Sequence, residues 1–221
     1  MARFSSKNDI CQAAAFKIGT EPITDVDNPQ TVMEKRLGFL YDKVRRYVLR
    51  LGVWNFAQQI KTVANLREEV PEGFAMVFEF PSDFVRFEGF VVDGEYVVPD
   101  TSSYMIASGK IYLRGPKYAV QKDNVSLLTI KYIKDFEEVR RFDDCFLDAF
   151  ILRLAYELAY MTTTKTTLTN RLNEEFWESI TQARMIDGQE QKPRVVSRSK
   201  WVQARRAGSY SSVALPYREG I

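Results

Sequence analysis

Acidic residues stand next to each other at four places in the chain, and a pair of carboxyl groups is what hydrolysis of a glycosidic bond requires. Neighbouring residues on a helix point about 100° apart, so the members of such a pair do not face one bond, and acids at a helix start act as caps. We therefore interpret these residues as solvated or capping acids, with glycan hydrolysis kept as an alternative. The pairs are Glu68 and Glu69, Glu137 and Glu138, Asp143 and Asp144, and Glu174 and Glu175.

Other catalytic groups are scarce. The chain contains no histidine, which removes the Ser-His-Asp triad, imidazole metal ligands and the commonest general base near neutral pH. Residues 108–111 read Ser-Gly-Lys-Ile, but Tyr104 stands where a phosphate-binding loop needs its first glycine, and no Ser or Thr follows the lysine. Cys11 and Cys145 lie within apolar helical patterns and predict buried thiols. The sequence therefore predicts no catalytic residue, cofactor or metal, and a protein that is not an enzyme.

Basic residues on the second predicted helix are the other chemically suggestive group. Arg36, Lys43 and Arg50 recur at every seventh position and so share one face, with Arg46 close by. Such a face could line a channel for DNA through attraction to phosphates, or face a neighbouring subunit, or be a solvated face near the helix C-terminus. A non-specific DNA-binding module is thus a second alternative function.

Arg153 and Glu157 stand four residues apart in an otherwise apolar segment, where a charged side chain should be paired. We interpret them as an internal ion pair or a subunit contact.

The C-terminal end concentrates positive charge, although 31 Lys and Arg against 29 Asp and Glu leave the whole chain at only +2. Periodicity stops after Gln191, and Pro, Ser and Gly accumulate among arginines and aromatic residues. This tail could be a nucleic-acid arm, a disordered terminus or a segment that orders on a partner protein, and we favour the last. Its candidate contact residues are Arg194, Arg198, Lys200, Trp201, Arg205, Arg206, Tyr210 and Tyr217.

Two predicted helices precede the middle of the chain. Ser6 is placed to cap the first, which ends at Gly19. Asn28 followed by Pro29 would begin a longer second helix that ends at Gly52. An apolar stripe runs along the second helix, so it needs a partner to cover it.

Two more helices follow the middle of the chain. The third begins at Asp143 or Asp144 and is apolar on nearly every side, which is typical of a helix at the centre of a bundle. A threonine-rich turn leads to a fourth helix that ends at Gly188. The chain has no signal-peptide pattern and no long uncharged apolar segment, so we expect a soluble, unexported protein without a membrane anchor.

The middle of the chain alternates apolar and polar residues from Trp54 onward, which predicts β strands. Asp93-Gly94 and Ser108-Gly109 lie between β-branched or aromatic runs and predict two hairpins. We therefore predict an α+β fold: a discontinuous helical bundle from residues 6–52 and 143–188, an antiparallel β module of five to seven strands over residues 53–140, and a basic extended tail over residues 189–221.

Six short segments, taken in chain order, resemble motifs of one protein family. They are FKIGTEPI at residues 16–23, RLGVWNFA at 50–57, FPSDFVR at 80–86, IKYIKDF at 130–136, AYELA at 155–159 and ARMIDGQE at 183–190. The family is tail tubular protein A of short-tailed bacteriophages, which typically shows an IGE-x-P loop, a GW-x-F junction and an LP-x-D-x-LR segment. The resemblance spans residues 8–190, and the tail beyond it shows no such motif.

The resemblance implies a structural virion protein without catalytic residues. Such a protein would form a ring, of twelve copies in this family, that docks under the portal and receives the tail nozzle, a protein like tail tubular protein B. The ring would enclose the channel through which genomic DNA passes, in the neck of a virion assembled in the host cytoplasm. The basic tail would then be the segment that reaches the portal protein.

Overall fold

The computed structural model describes residues 4–162 and 166–190, with side chains up to residue 186. Four α-helices lie within these residues: α1 (Lys7–Lys17), α2 (Val32–Leu51), α3 (Asp144–Thr162) and α4 (Thr166–Glu190). The described residues up to Asp187 belong to one compact unit. The helices are mixed with antiparallel sheet, so the α+β class predicted from the sequence is confirmed.

The start of α1 is fixed by reciprocal capping, as the sequence predicts. Ser6 Oγ accepts a hydrogen bond from the Asp9 backbone N–H at 3.2 Å, and Asp9 Oδ2 accepts from the Ser6 N–H at 2.9 Å. Two of the otherwise unpaired N–H groups of the first turn are satisfied in this way. The helix ends at Lys17, and Gly19 adopts φ +74°, a left-handed conformation that glycine takes without steric penalty.

The start of α2 differs from the prediction. The cap is Thr31, three residues after the predicted Asn28. Thr31 and Glu34 form a capping box. Asn28 cannot form one, because the residue three positions after it is a threonine. The Glu34 carboxylate is buried and accepts backbone hydrogen bonds from Thr24 at 3.0 Å, Gln30 at 2.8 Å and Thr31 at 2.9 Å. One side chain therefore fixes both the helix start and the loop that precedes it.

These hydrogen bonds, that from the Thr31 N–H above all, lower the pKa of Glu34 to about 2. A carboxyl group whose pKa is lower in the folded state stabilises the fold above its unfolded pKa, and this contribution disappears as the pH falls through the folded pKa. We expect a Glu34→Gln variant to lose less stability than the wild type between pH 5 and pH 2. Urea titrations across this range measure the effect, with Glu174→Gln on the exposed face of α4 as the control; equal pH profiles for wild type and Glu34→Gln would contradict the assignment.

The C-terminal helices follow the predicted pattern with one shift. The backbone carbonyl of Asp143 accepts from Leu147 N–H at 2.9 Å, so α3 begins at the predicted position. Buried side chains lie on several sides of α3, as expected for a helix that is covered by others. The last helix, α4, continues past the predicted end at Gly188 to Glu190, so the first two residues of the predicted tail are helical.

Eight strands lie in the described middle of the chain, more than the predicted five to seven. They are β1 (Gln58–Ala64), β2 (Met76–Glu79), β3 (Phe84–Val92), β4 (Glu95–Val97), β5 (Tyr104–Ala107), β6 (Lys110–Leu113), β7 (Ala119–Lys122) and β8 (Val125–Lys134). All pairings are antiparallel, as the hairpin signals require.

The strands form two sheets. The larger has the order β1-β8-β3-β4, with β7 also paired to β8, and the smaller has the order β2-β6-β5. Lys61 stands opposite Ile130 in the first sheet, and Phe78 stands opposite Ile111 in the second. A bridge from Asn65 to Phe78 connects the two sheets. The strand β8 pairs with β1, β3 and β7. On one of its faces Leu128, Ile130 and Tyr132 are buried, whereas Leu127, Thr129 and Lys131 on the other are only partly buried.

Both predicted hairpin turns are present. Asp93 and Gly94 have φ of 51° and 81°, and Ser108 and Gly109 have φ of 51° and 73°. Positive φ at both central residues gives the turn geometry that matches the twist of the flanking strands. The first predicted strand starts later than expected, since residues 55–57 form a turn of 3₁₀ helix before β1.

Two hydrophobic cores hold the unit together. One lies between the sheets. The other is built by α1, α2, α3 and α4 together with Trp54 and with Val85 and Ile133 of the larger sheet. The indole N–H of Trp54 donates to the Val48 carbonyl at 3.0 Å, and a Cβ on Gly52 would lie 2.4 Å from the indole ring. Gly52 therefore ends α2 where the chain must pass close to Trp54.

Phe146 is the centre of the aromatic part of the helical core. Its ring lies 5.2 Å from that of Trp54, 5.1 Å from Phe56, 4.8 Å from Phe142 and 5.7 Å from Phe150, mostly in edge-to-face arrangements. Such contacts add to the burial of apolar area. The core therefore combines residues that precede the β strands in the sequence with residues that follow them.

Candidate interaction surfaces

The predicted basic face of α2 is exposed but not unpartnered. Lys43 Nζ lies 3.8 Å from Glu157, and Arg46 Nε lies 3.6 Å from Asp135, while their side chains stay 64% and 57% exposed. The two other predicted residues donate to carbonyl oxygens, Arg36 to that of Met161 at 3.3 Å and Arg50 to that of Val85 at 3.4 Å. Neighbouring carboxylates therefore reduce the positive potential that a DNA-lining face would need.

Another basic residue of α2, Arg45, is buried at the junction with the larger sheet. Its guanidinium donates to Asp135 Oδ1 at 3.0 Å, Glu137 Oε1 at 3.1 Å and Asp42 Oδ1 at 2.8 Å. Asp135 follows β8 directly, so these charge-assisted bonds connect the helix to the end of the central strand. The sequence interpretation missed this role, although Arg45 lies four residues after the buried Tyr41 and therefore on the inner face.

The predicted pair on α3 is an ion pair. Arg153 Nη2 lies 2.6 Å from Glu157 Oε1, and both side chains are mostly buried. The guanidinium also lies over three aromatic rings, at 4.8 Å from Tyr47, 4.7 Å from Tyr156 and 5.5 Å from Phe176. Cation–π contacts of this kind stabilise a partly desolvated charge. Arg153 thus links α2, α3 and α4.

An open groove of about 450 Å³ runs between α1 and α4 over α3. We call it the α1/α4 groove; Ala13 and Lys17 of α1, Ile151 and Leu152 of α3, and Glu178 and Ser179 of α4 line it. Asp148 and Glu175 also face it. Burial raises the pKa of the Asp148 carboxyl, and the charge of Lys17 opposes that shift. No sequence motif indicated this groove, because its residues come from three helices.

Large apolar side chains are exposed on the outer faces of the helices. Phe39 on α2 is 74% exposed and Tyr160 on α3 is 75% exposed. The hydrogen bond from Arg36 to Met161 shows that the start of α2 and the end of α3 are adjacent. Further exposed side chains are Val32 and Tyr47 on α2, Met161 on α3, and Trp177, Met185 and Ile186 on α4.

At least one member of each acidic pair has a hydrogen-bond or ion-pair partner in the described part of the chain. Glu68 pairs with Lys110, Glu137 with Arg45 and Asp143 caps α3. Because Lys110 is the first residue after the β5–β6 turn, its Gly-Lys pair belongs to a hairpin and not to the start of a helix. The remaining partners are Arg141 for Glu138 and Arg171 for Glu175.

Among residues 4–162 and 166–190 there is no group of three His, Cys, Asp or Glu side chains placed to hold a metal ion. No helix in this part of the chain is both long enough and apolar enough to cross a membrane. Cys11 is buried as predicted, and burial raises the pKa of its thiol to about 12, whereas Cys145 is only partly buried.

The predicted contact residues of the C-terminal tail, from Arg194 to Tyr217, lie outside the described residues. Comparison of the chain with protein-family models and with curated proteins finds no match in either case.

Proposed function

We propose that this protein is a subunit of a ring-shaped adaptor that connects the portal to the tail nozzle of a short-tailed bacteriophage. The ring encloses the channel through which the genome passes, in the neck of the virion, and the protein has no catalytic role. Twelve copies is the number that the resemblance to tail tubular protein A implies.

The observation that carries the proposal is the set of aromatic and apolar side chains exposed on the helices, above all Phe39 and Tyr160. Single exposed apolar residues are ordinary on a monomer, but groups of them are typical of surfaces that contact another protein. Aromatic residues and arginines are also the types that anchor interfaces. A protein whose main task is to contact copies of itself and its neighbours has this composition on its outer helices.

The proposed arrangement assigns one task to each part of the chain. The four helices form a bundle, discontinuous in sequence, that packs side by side with the bundles of neighbouring copies. The β strands extend toward the tail. Residues 191–221 reach the portal, where the aromatic residues and arginines offset the entropy lost on ordering.

Negative-stain electron microscopy of the purified protein, alone and mixed with the portal protein of the same virus, tests this proposal. We expect closed rings that stack on the portal. Deleting residues 191–221 should leave the far-ultraviolet circular dichroism spectrum of a folded protein but abolish attachment, because the two described cores are built from residues up to Ala183. Single copies in both samples would overturn the ring, and unchanged attachment of the deletion variant would remove the role of the tail.

A further inference from the structure

We propose that the outer face of α2, formed by Lys35, Phe39 and Lys43, docks into the α1/α4 groove of the next copy. The contact therefore joins two different surfaces. This inference rests on the proposed ring, and it names the two faces that touch.

The groove has the shape and composition to accept a side chain from another molecule. Its floor is apolar, formed by Ala13, Ile151 and Leu152 beneath an opening between two helices. Its volume of about 450 Å³ lies within the range of sites that enclose a ligand, about 300–1,000 Å³. An aromatic ring placed on this floor would remove its own apolar surface from water, together with the small part of Ile151 and Leu152 that is still exposed.

The charge of the groove favours a basic partner. Asp148, Glu175 and Glu178 line it against one cation, Lys17. Glu175 lies 3.4 Å from Arg171 on its own helix, while Glu178 is exposed and forms no ion pair within the described residues. The groove therefore presents an apolar floor with a predominantly acidic rim.

The outer face of α2 presents the complementary pattern. Lys35, Phe39 and Lys43 are spaced four residues apart and therefore lie in one row along the helix. Phe39 is the most exposed of the large apolar side chains on α2, and Lys35 forms no ion pair in the described part of the chain. A phenyl ring between two ammonium groups matches an apolar floor between carboxylates.

The two surfaces lie on different sides of the helical core. On α3, the groove residues Asp148, Ile151 and Leu152 project to one side, whereas Arg153 and Glu157, which contact side chains of α2, project to the other. One copy can thus use both surfaces at once with two neighbours. Contacts of this head-to-tail kind generate closed rings when the rotation between copies closes.

Charge reversal tests the docking in full-length protein. Sedimentation velocity should show that Lys35→Glu alone and Glu178→Lys alone associate at least about tenfold more weakly than wild type, because each opposes like charges at every contact. An equimolar mixture of the two variants should recover wild-type association, since an alternating assembly contains only opposite charges. Lys61→Glu on the edge strand β1 is the matched control and should associate as wild type does. Single variants that associate normally, or a mixture that does not recover, would overturn the docking.

Disulfide cross-linking detects the same contact when association is weak. With Cys145→Ser as background, a variant carrying Phe39→Cys and Ser179→Cys should form a ladder of covalent oligomers on mild oxidation, and one carrying Ile60→Cys and Ser179→Cys should not. Equal ladders from both variants would count against the docking. Rings that form equally well in the charge-reversal variants and give no specific cross-linking would refute this contact and leave the adaptor proposal intact. A specific ladder of cross-linked oligomers without rings on the portal would refute the adaptor and keep the contact.

Discussion

A Phe146→Ala variant is expected to lose about 4 kcal/mol of unfolding free energy, which is within the range for removing a fully buried phenyl ring. Phe146 is completely buried and contacts four other aromatic rings, so the surrounding side chains cannot collapse into the space without moving α3 against the segment around Trp54. Urea unfolding followed by circular dichroism at 222 nm measures the loss.

Phe39→Ala provides the matched control, because it removes the same atoms from a side chain that is 74% exposed. We expect its unfolding free energy to stay within about 0.5 kcal/mol of wild type. Its association should weaken, since Phe39 is the proposed anchor in the α1/α4 groove. A loss of less than 1 kcal/mol for Phe146→Ala would mean that the aromatic cluster is not the centre of the helical core.

An Arg45→Met variant is expected to lose about 3 kcal/mol of unfolding free energy. The guanidinium is buried and bonded to Asp135, Glu137 and Asp42. Among the described residues, its removal leaves the Asp135 carboxylate with only the longer ion pair to Arg46. For a unit of this size the melting temperature should fall by about 6–12 °C. Differential scanning calorimetry and urea titration measure the two quantities.

Arg46→Met is the control for Arg45. It neutralises the next residue of the same helix, whose side chain is 57% exposed and whose contact to Asp135 is 3.6 Å. Exposed ion pairs contribute about 0–1 kcal/mol, so this variant should remain close to wild type. Similar losses for the two variants would show that net charge, and not the buried junction, determines the effect.

Features encoded by neighbouring residues were predictable from the sequence. The Asp93-Gly94 and Ser108-Gly109 turns require positive φ and flanking strands, both of which a short stretch of sequence displays. The same holds for the Ser6 cap of α1, because its partner Asp9 lies within the same turn.

Features that depend on distant residues were not predictable. Asn28 followed by Pro29 is a good local helix start, but Glu34 is bonded to Thr24 in the preceding loop as well as to Thr31, and these bonds place the start later. Arg45 looks like one more surface cation until β8 brings Asp135 beside it.

The candidate surfaces likewise include features that were predictable from the sequence and features that were not. The Arg153–Glu157 pair was predictable from its spacing of four, since both residues belong to one helix. The aromatic rings around Arg153 were not, because Tyr47 and Phe176 come from helices on opposite sides of the β strands in the sequence. The α1/α4 groove is likewise the product of three helices.

The shared helical core also sets an order of events during synthesis. About 90 residues separate the end of α2 at Leu51 from the start of α3 at Asp144, and at 5–20 residues per second the ribosome needs about 5–20 s to make them. Throughout that interval the apolar stripe of α2 has no α3 to cover it. The helical core therefore cannot be completed until α3 has been synthesised. A truncated product that stops before α3 would leave the apolar stripe of α2 exposed to aggregation or to binding by a chaperone.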